Sequence, residues 1–261
     1  MSTARAAGRS VRGRRAPAGA AHPEIVIPDL ASLPRAQLRG MVMAGAEVME
    51  CYRVLTKGGI NLVSEVLRGQ GEFIEYEHYP KDDVYDSDTG AQYYYHAHRA
   101  DSGEHGHFHT FVRNPEVVLG RPPLSRGETD AGTNGETSHL IAISMDAYGF
   151  PRGLFSTNRW VTGESWYGAD DVIALLDRFR IDHAHPSWPV NRWLGAMLVL
   201  FRPHIEALLR HRDVVVEGWM KSCDREAVFE DRALEITGYL PISVEETLED
   251  VRASVGGRRR V

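Results

Sequence analysis

Residues 93–113 read Tyr-Tyr-Tyr-His-Ala-His, a short polar break, and then Glu-His-Gly-His-Phe-His-Thr-Phe-Val-Arg, so five of the twelve histidines fall in one short stretch. The aromatic runs at 92–98 and 105–112 flank Asp101, Ser102 and Gly103, the pattern of two strands joined by a hairpin loop. Side chains alternate along a strand, so Tyr94, His96 and His98 share one side of the first strand and His105, His107, His109 and Phe111 one side of the second. With residues 99–104 as the loop, His98 faces His105, His96 faces His107 and Tyr94 faces His109. All five imidazoles then leave the same face.

Directly opposed residues have Cβ atoms about 4.5–5.5 Å apart, and metal–imidazole bonds are about 2.0–2.1 Å long. Two or three of these rings can therefore meet at one ion. Neutral imidazoles are awkward core residues and charged ones repel, and shared coordination of a transition metal removes both difficulties. The alternatives are an exposed polar sheet face or a hydrogen-bonded histidine network. A slip or bulge of one residue would send one strand's set to the other side, so the expectation rests on register.

The 261 residues are 43% apolar, enough for a sizeable core, and one domain is expected. A formal charge of −6 with scattered basic residues does not suggest a nucleic-acid groove. No apolar run reaches the roughly 18 residues of a membrane span. The two cysteines, Cys51 and Cys223, imply no disulfide scaffold, and the reducing cytoplasm is the expected compartment. Residues 1–24 form a basic Ala, Gly and Arg tail with no secretory core, residues 25–256 one α+β domain, and residues 257–261 a second basic tail.

Within that domain, residues 25–70 read as helical. Ser32 and Pro34 start a helix, apolar positions recur from Leu38 to Tyr52, and a second helix covers 60–68. Residues 71–167 read as mainly β: a strand at 72–76, an acidic loop at 78–90, the histidine hairpin, a long loop at 114–137, a buried strand at 138–145, another at 149–158, and 160–166 continuing the sheet. His139 falls on the side of Ile141, Ile143 and Met145 and, as part of a third strand, is a further candidate ligand. Asp86-Ser-Asp88 resembles the start of a calcium loop but lacks its bidentate glutamate, and reads as an Asp/Gly turn. Residues 168–256 read as mainly helical, with helices at 170–179, 191–210 and 243–254. A third His-x-His, His183 and His185, lies in an irregular link where capping or surface contacts account for it. The fold class expected is an antiparallel sheet, of which a cupin-like half-barrel is one form, with a histidine-rich face and helices before and after it.

The strings EYEHYPKDDVYD, QYYYHAH, EHGHFHTF, HLIAISMD, FSTNRWVTGES and RFRIDHAHPSWPVNRW resemble a bacterial family of about this length known only as a domain of unknown function, over residues 33–251. That resemblance brings no activity with it. Gly90, His96, His98 and Glu104 are also similar to the first cupin metal motif, with a five-residue gap before Glu104. Phe150-Pro151-Arg152-Gly153 is similar to the second, with Ser156 where that motif has histidine. The cupin resemblance implies His96, His98 and Glu104 as ligands, with a fourth such as His139.

The leading expectation is a metal-dependent enzyme acting on a small molecule, with ligands drawn from His96, His98, His105, His107, His109 and His139. A divalent transition metal is implied, Fe(II) favoured over Zn(II) because tyrosine and tryptophan surround the imidazoles; the reaction is then that of a non-haem iron oxidoreductase. Glu104 is a candidate base or anchor, Tyr94 a catalytic contact, and Arg159, with Arg99, a clamp for a substrate anion. The alternatives are a zinc hydrolase or lyase, a non-catalytic metal-binding protein with a filled coordination sphere, and a metal-free enzyme using one histidine beside a glutamate.

Overall fold

The computed structural model describes residues 24–98, 103–126, 136–221 and 226–257. Residues 1–23 and 258–261 of the basic tails, Arg99 and Cys223 lie outside the described residues. The chain is α+β, with a six-stranded antiparallel sheet whose strands lie side by side in chain order. They are β1 (Tyr79–Tyr85), β2 (Ala91–His96), β3 (Gly106–Arg113), β4 (Thr137–Met145), β5 (Pro151–Thr157) and β6 (Ile236–Pro241). This open meander is not the half-barrel considered from sequence, since cupin jelly rolls are built from Greek keys.

The N-terminal helix α1 (Arg35–Lys57) buries Leu38, Met41, Ala44, Val48, Cys51 and Leu55, a stripe at helical spacing. Ser32 does not cap it; the serine ends a short 3₁₀ turn capped by Asp29, and α1 starts after Pro34. Asn61 caps α2 (Leu62–Val66) through a reciprocal bond with Ser64. The single long helix expected at 191–210 is two, α6 (Trp188–Leu200) and α7 (Arg202–Met220). Pro203 sits in the first turn of α7, where its missing N–H costs no helical bond; in mid-helix it would have removed one. A final helix, α8 (Val244–Gly257), follows β6, and Glu246 N donates to Ser243 Oγ at its start.

On one side of the sheet Tyr93, Tyr95, Phe108, Ile141, Ile143 and Leu154 join a core with Trp193, Leu194 and Met197 of α6. The Phe108 and Trp193 rings are 5.8 Å apart, and Tyr93 donates to Asn191 Oδ1. Further along, α7 closes on β6 at Gly238, where a Cβ would stand 2.8 Å from both Leu208 and His211.

Several segments depart from the sequence reading. Residues 72–77 are not a strand, and part of the acidic stretch is β1, an edge strand that tolerates Pro80 and bulges between Tyr79 and Val84. Residues 159–166 turn away from the sheet as a single helical turn, α4 (Arg159–Thr162), before reaching α5 (Ala169–Leu175). The sixth strand, β6, lies where helices were expected; its Gly238 and Pro241 obscure the alternation. Within the long loop, α3 (Pro115–Leu119) is helical. Among the described residues no helix is long and apolar enough to cross a membrane.

Candidate metal centre

The pairing of β2 with β3 is the one on which the histidine argument depends: Tyr94 faces His109 and His96 faces His107. Their side chains leave the face opposite the helices, and the chain just beyond His96 keeps His98 beside them. His96 Nε2 and His107 Nε2 are 2.7 Å apart. The His98 ring lies 5.0 Å from that of His96 and 5.1 Å from that of His107, and stacks on Tyr76. One nitrogen from each of His96, His98 and His107 lies within 4.8 Å of the others, a group that can hold a metal ion. His107 is fully buried, whereas His96 and His98 are only half-buried, so the cluster is closed underneath and more open on their side.

Glu104 fixes the buried member. Its Oε1 lies 2.5 Å from His107 Nδ1, and its Oε2 accepts from the Ser144 hydroxyl. A carboxylate that accepts from both places the His107 proton on Nδ1 and turns the Nε2 lone pair toward His96 and His98. This carboxylate–imidazole pairing is the support that metal-bound histidines usually carry. Both Glu104 oxygens are engaged, so it is an anchor here and not a member of the converging nitrogen group.

The remaining candidates separate. His105 is a correction: its ring does not join the other four but meets Tyr95 Oη at 2.8 Å and stacks on Phe73. The strand begins only at Gly106, so alternation does not extend back to 105. Gly106 itself is required, because a Cβ there would stand 2.5 Å from Tyr95 Oη and 2.6 Å from His96 O. His139 is a second correction. A bulge in β4 pairs Thr110 with Ile141 and Phe111 with His139 and leaves Leu140 unmatched, so His139 lies on the opposite side from Ile141.

There His139 Nε2 meets His109 Nδ1 at 3.0 Å, and the ring packs on Phe111. Both imidazoles are buried behind the triad. Burial, with Arg212 and His107 adding to it, pushes the His139 pKa down to about 3, which keeps the ring neutral. Its backbone N–H donates to Glu164 Oε2 at 2.6 Å. Burial lifts the Glu164 pKa to about 7 against the pull of Arg212 and that hydrogen bond.

Tyr94 sits against this cluster, its ring 5.2 Å from those of both His96 and His109. Burial, with Asp83 and Glu164 adding to it, raises its pKa and keeps the phenol protonated. Arg159 is not brought to the histidines. Its guanidinium is committed to Glu230 and the Arg126 carbonyl, beside the Phe229 ring. His183 and His185 each offer a backbone carbonyl to Asn191 Nδ2 at 2.9 Å, and His183 Nε2 lies 3.2 Å from the Tyr85 carbonyl oxygen. Asp86 accepts from the backbone N–H groups of Asp88 and Thr89, an ordinary Asp turn, and its other oxygen accepts from the backbone N–H of Asp182. Burial pushes the Cys51 thiol up to about 12, which makes it a poor nucleophile.

Sequence reasoning put His78 and Asp83 in an acidic loop that could contribute a substrate contact and Gln92 at the start of the first hairpin strand, but did not bring the three together. His78 stacks on Tyr94 with ring centroids 3.6 Å apart, its Nδ1 is 2.9 Å from Asp83 Oδ1, and Gln92 Nε2 donates to Asp83 Oδ2 at 2.7 Å. The acidic run around His78 and Asp83 showed no strand period, and nothing local marked their pairing with Gln92. No curated protein and no solved structure matches the chain. A family profile, described as Domain of unknown function (DUF6969), matches residues 42–242, which include all six strands and the three converging histidines; the chain belongs to that family.

Proposed function

We propose that the chain is a metal-dependent enzyme that holds one divalent transition metal with His96, His98 and His107 and performs oxidoreductase chemistry on a small molecule. The observation that carries this reading is the Glu104–His107 bond: it aims a buried imidazole lone pair at two half-buried histidines. Among the described residues the converging donors number three, which leaves coordination positions for substrate or water, as an enzyme requires and a purely structural site does not.

Fe(II) is preferred to Zn(II) because a tyrosine lies against the imidazoles, the Tyr94 ring 5.2 Å from those of His96 and His109. A zinc hydrolase would also call for a base, and Glu104 is already held by His107 and Ser144. When bound, the ion would supply a Lewis-acid and redox centre. In this arrangement Glu104 orients the buried ligand, Tyr94 offers a protonated hydroxyl, and the half-buried His96 and His98 mark the side of approach.

Elemental analysis of protein purified without a histidine tag tests the proposal. Near-stoichiometric iron is expected, lost in a His96→Ala/His107→Ala double variant, with affinity weakened about 10–100-fold in Glu104→Gln. Metal content unchanged in the double variant would remove the site, and stoichiometric zinc in place of iron would remove the redox assignment.

A further inference from the structure

The three converging histidines are not held alike. His107 is buried and anchored by Glu104, and His96 lies opposite it in β2. His98 lies beyond the end of β2, where the ladder to β3 no longer fixes the backbone. The segment that meets it there is 72–76, exposed throughout and part of no strand. Two ring stacks pin this segment to the base of the hairpin. Phe73 lies on His105, with centroids 5.3 Å apart and planes 15° apart, and Tyr76 lies on His98 at 5.3 Å and 19°. The Tyr76 N–H donates to Ala97 O at 3.0 Å. Tyr79 Oη closes the other end, accepting from the Ile74 N–H at 2.6 Å and donating to Glu72 O at 3.0 Å.

Tyr76 is held at φ 69, in the left-handed region, which a bulky side chain rarely adopts. Gly69 and Gly71 take the same region at φ 76 and 83, where no Cβ opposes it. Strain of this kind persists only where the surroundings over-determine it. Burial does little to offset it here, since Tyr76 is 70% exposed. What the conformation delivers is a flat ring against His98 and an N–H to the carbonyl of the residue before it.

We propose that Tyr76 is a positioning residue of the metal centre and acts through His98, keeping the third imidazole edge-on to the other two. The His98 plane stands at 74° to that of His96 and at 82° to that of His107, with a nitrogen of each inside the same 4.8 Å group. A stack occupies the face of an imidazole, whereas its nitrogens bond in the plane of the ring, so Tyr76 restrains the ligand without competing for the ion. A side chain ordered before the ion arrives loses less freedom on coordination, and affinity rises accordingly. Phe73, seated on His105, holds the segment that carries Tyr76, which gives a use to the one hairpin histidine outside the cluster. The inference rests on the metal centre proposed above.

The test is a Co(II) titration of the full chain, stripped of metal, against a competing chelator, with NMR of the histidine rings in the same metal-free samples. Tyr76→Phe keeps the ring and should bind as the wild type does. Tyr76→Ala and Tyr76→Gly should each bind about tenfold more weakly, the lower end of the range for groups that orient a metal ligand. Glycine relieves the left-handed backbone that alanine leaves strained, so Tyr76→Gly should unfold at a higher temperature than Tyr76→Ala: stability follows the backbone while affinity follows the ring. Without metal, the His98 ring protons should be shifted upfield by the stacked ring in wild type and Tyr76→Phe, and return to ordinary positions in Tyr76→Gly. Wild-type affinity in Tyr76→Gly, affinity in Tyr76→Phe as low as in Tyr76→Gly, or His98 protons unmoved between wild type and Tyr76→Gly would overturn the inference and leave the metal centre standing. Absence of Co(II) binding by the wild type would overturn the metal centre and this inference with it.

Discussion

The two faces of β2, β3 and β4 are made from alternate residues of the same strands, and they hold themselves together by different means. Toward the helices, Tyr93, Tyr95, Phe108, Ile141 and Ile143 bury against α6, and the polar exception, the Tyr93 hydroxyl, finds Asn191. Toward the other side, Tyr94, His96, His107, His109 and His139 pack ring against ring with centroids about 4.5–5.2 Å apart. The apolar face depends on shape and buried area. The imidazole face depends on which nitrogens carry protons and on what they bind. One face keeps the fold; the other leaves its stability open to chemistry.

The largest separation of the two faces should come from truncation. Phe108→Ala removes a fully buried ring and is expected to cost about 3–5 kcal/mol in urea unfolding. His98→Ala, half-buried beyond the strand end, should cost less than about 1 kcal/mol yet abolish metal retention. Equal losses of stability would break the contrast.

Chelation should act on one face only. Removing an ion present at about a hundred times its Kd withdraws roughly 2.7 kcal/mol, so the wild-type Tm should fall on chelation and that of the His96→Ala/His107→Ala variant should not move. A parallel fall in both would show that the chelator acts elsewhere.

The smallest effect concerns pH, and the two sides oppose each other. On the helix side, burial holds the pKa of His204 in α7 down to about 4, below its ordinary 6.5. The unfolded chain therefore takes up that proton first, and stability is lost as pH falls from 6.5 toward 4. Behind the imidazole face, burial lifts the Glu164 pKa to about 7 from 4.5, so stability is lost as pH rises from 4.5 toward 7. Each contributes at most about 1.4 kcal/mol per pH unit. Between pH 5 and 6, His204→Phe should lose that much less than wild type on acidification and Glu164→Gln that much more. Chemical denaturation across this range reads the slopes, and identical slopes in all three proteins would refute both assignments.

Much of the site was legible because strand alternation is a local rule. Tyr94, His96, His107 and His109 fell on one side as soon as two strands and a short loop were recognised, and the ladder has that register. His105 was not legible, because alternation ends where the strand ends, one residue later at Gly106. His139 was misplaced because a single unmatched residue, Leu140, inverts parity and leaves no mark in the sequence. The break between α6 and α7 was readable in Pro203. The strand β1 was not: the acidic run and Pro80 hide a segment whose strand character comes from pairing with β2.

From its residues alone the chain determines that two neighbouring strands carry imidazoles at every second position, since the pleat has a period of two and needs no partner to express it. Which of those imidazoles meet was decided only in three dimensions. The bulge in β4, the Ser144 hydroxyl that holds Glu104 from a neighbouring strand, and the edge strand that brings His78 and Asp83 beside Tyr94 all depend on segments remote in sequence. Backbone pairing sets their positions, and no local pattern encodes it.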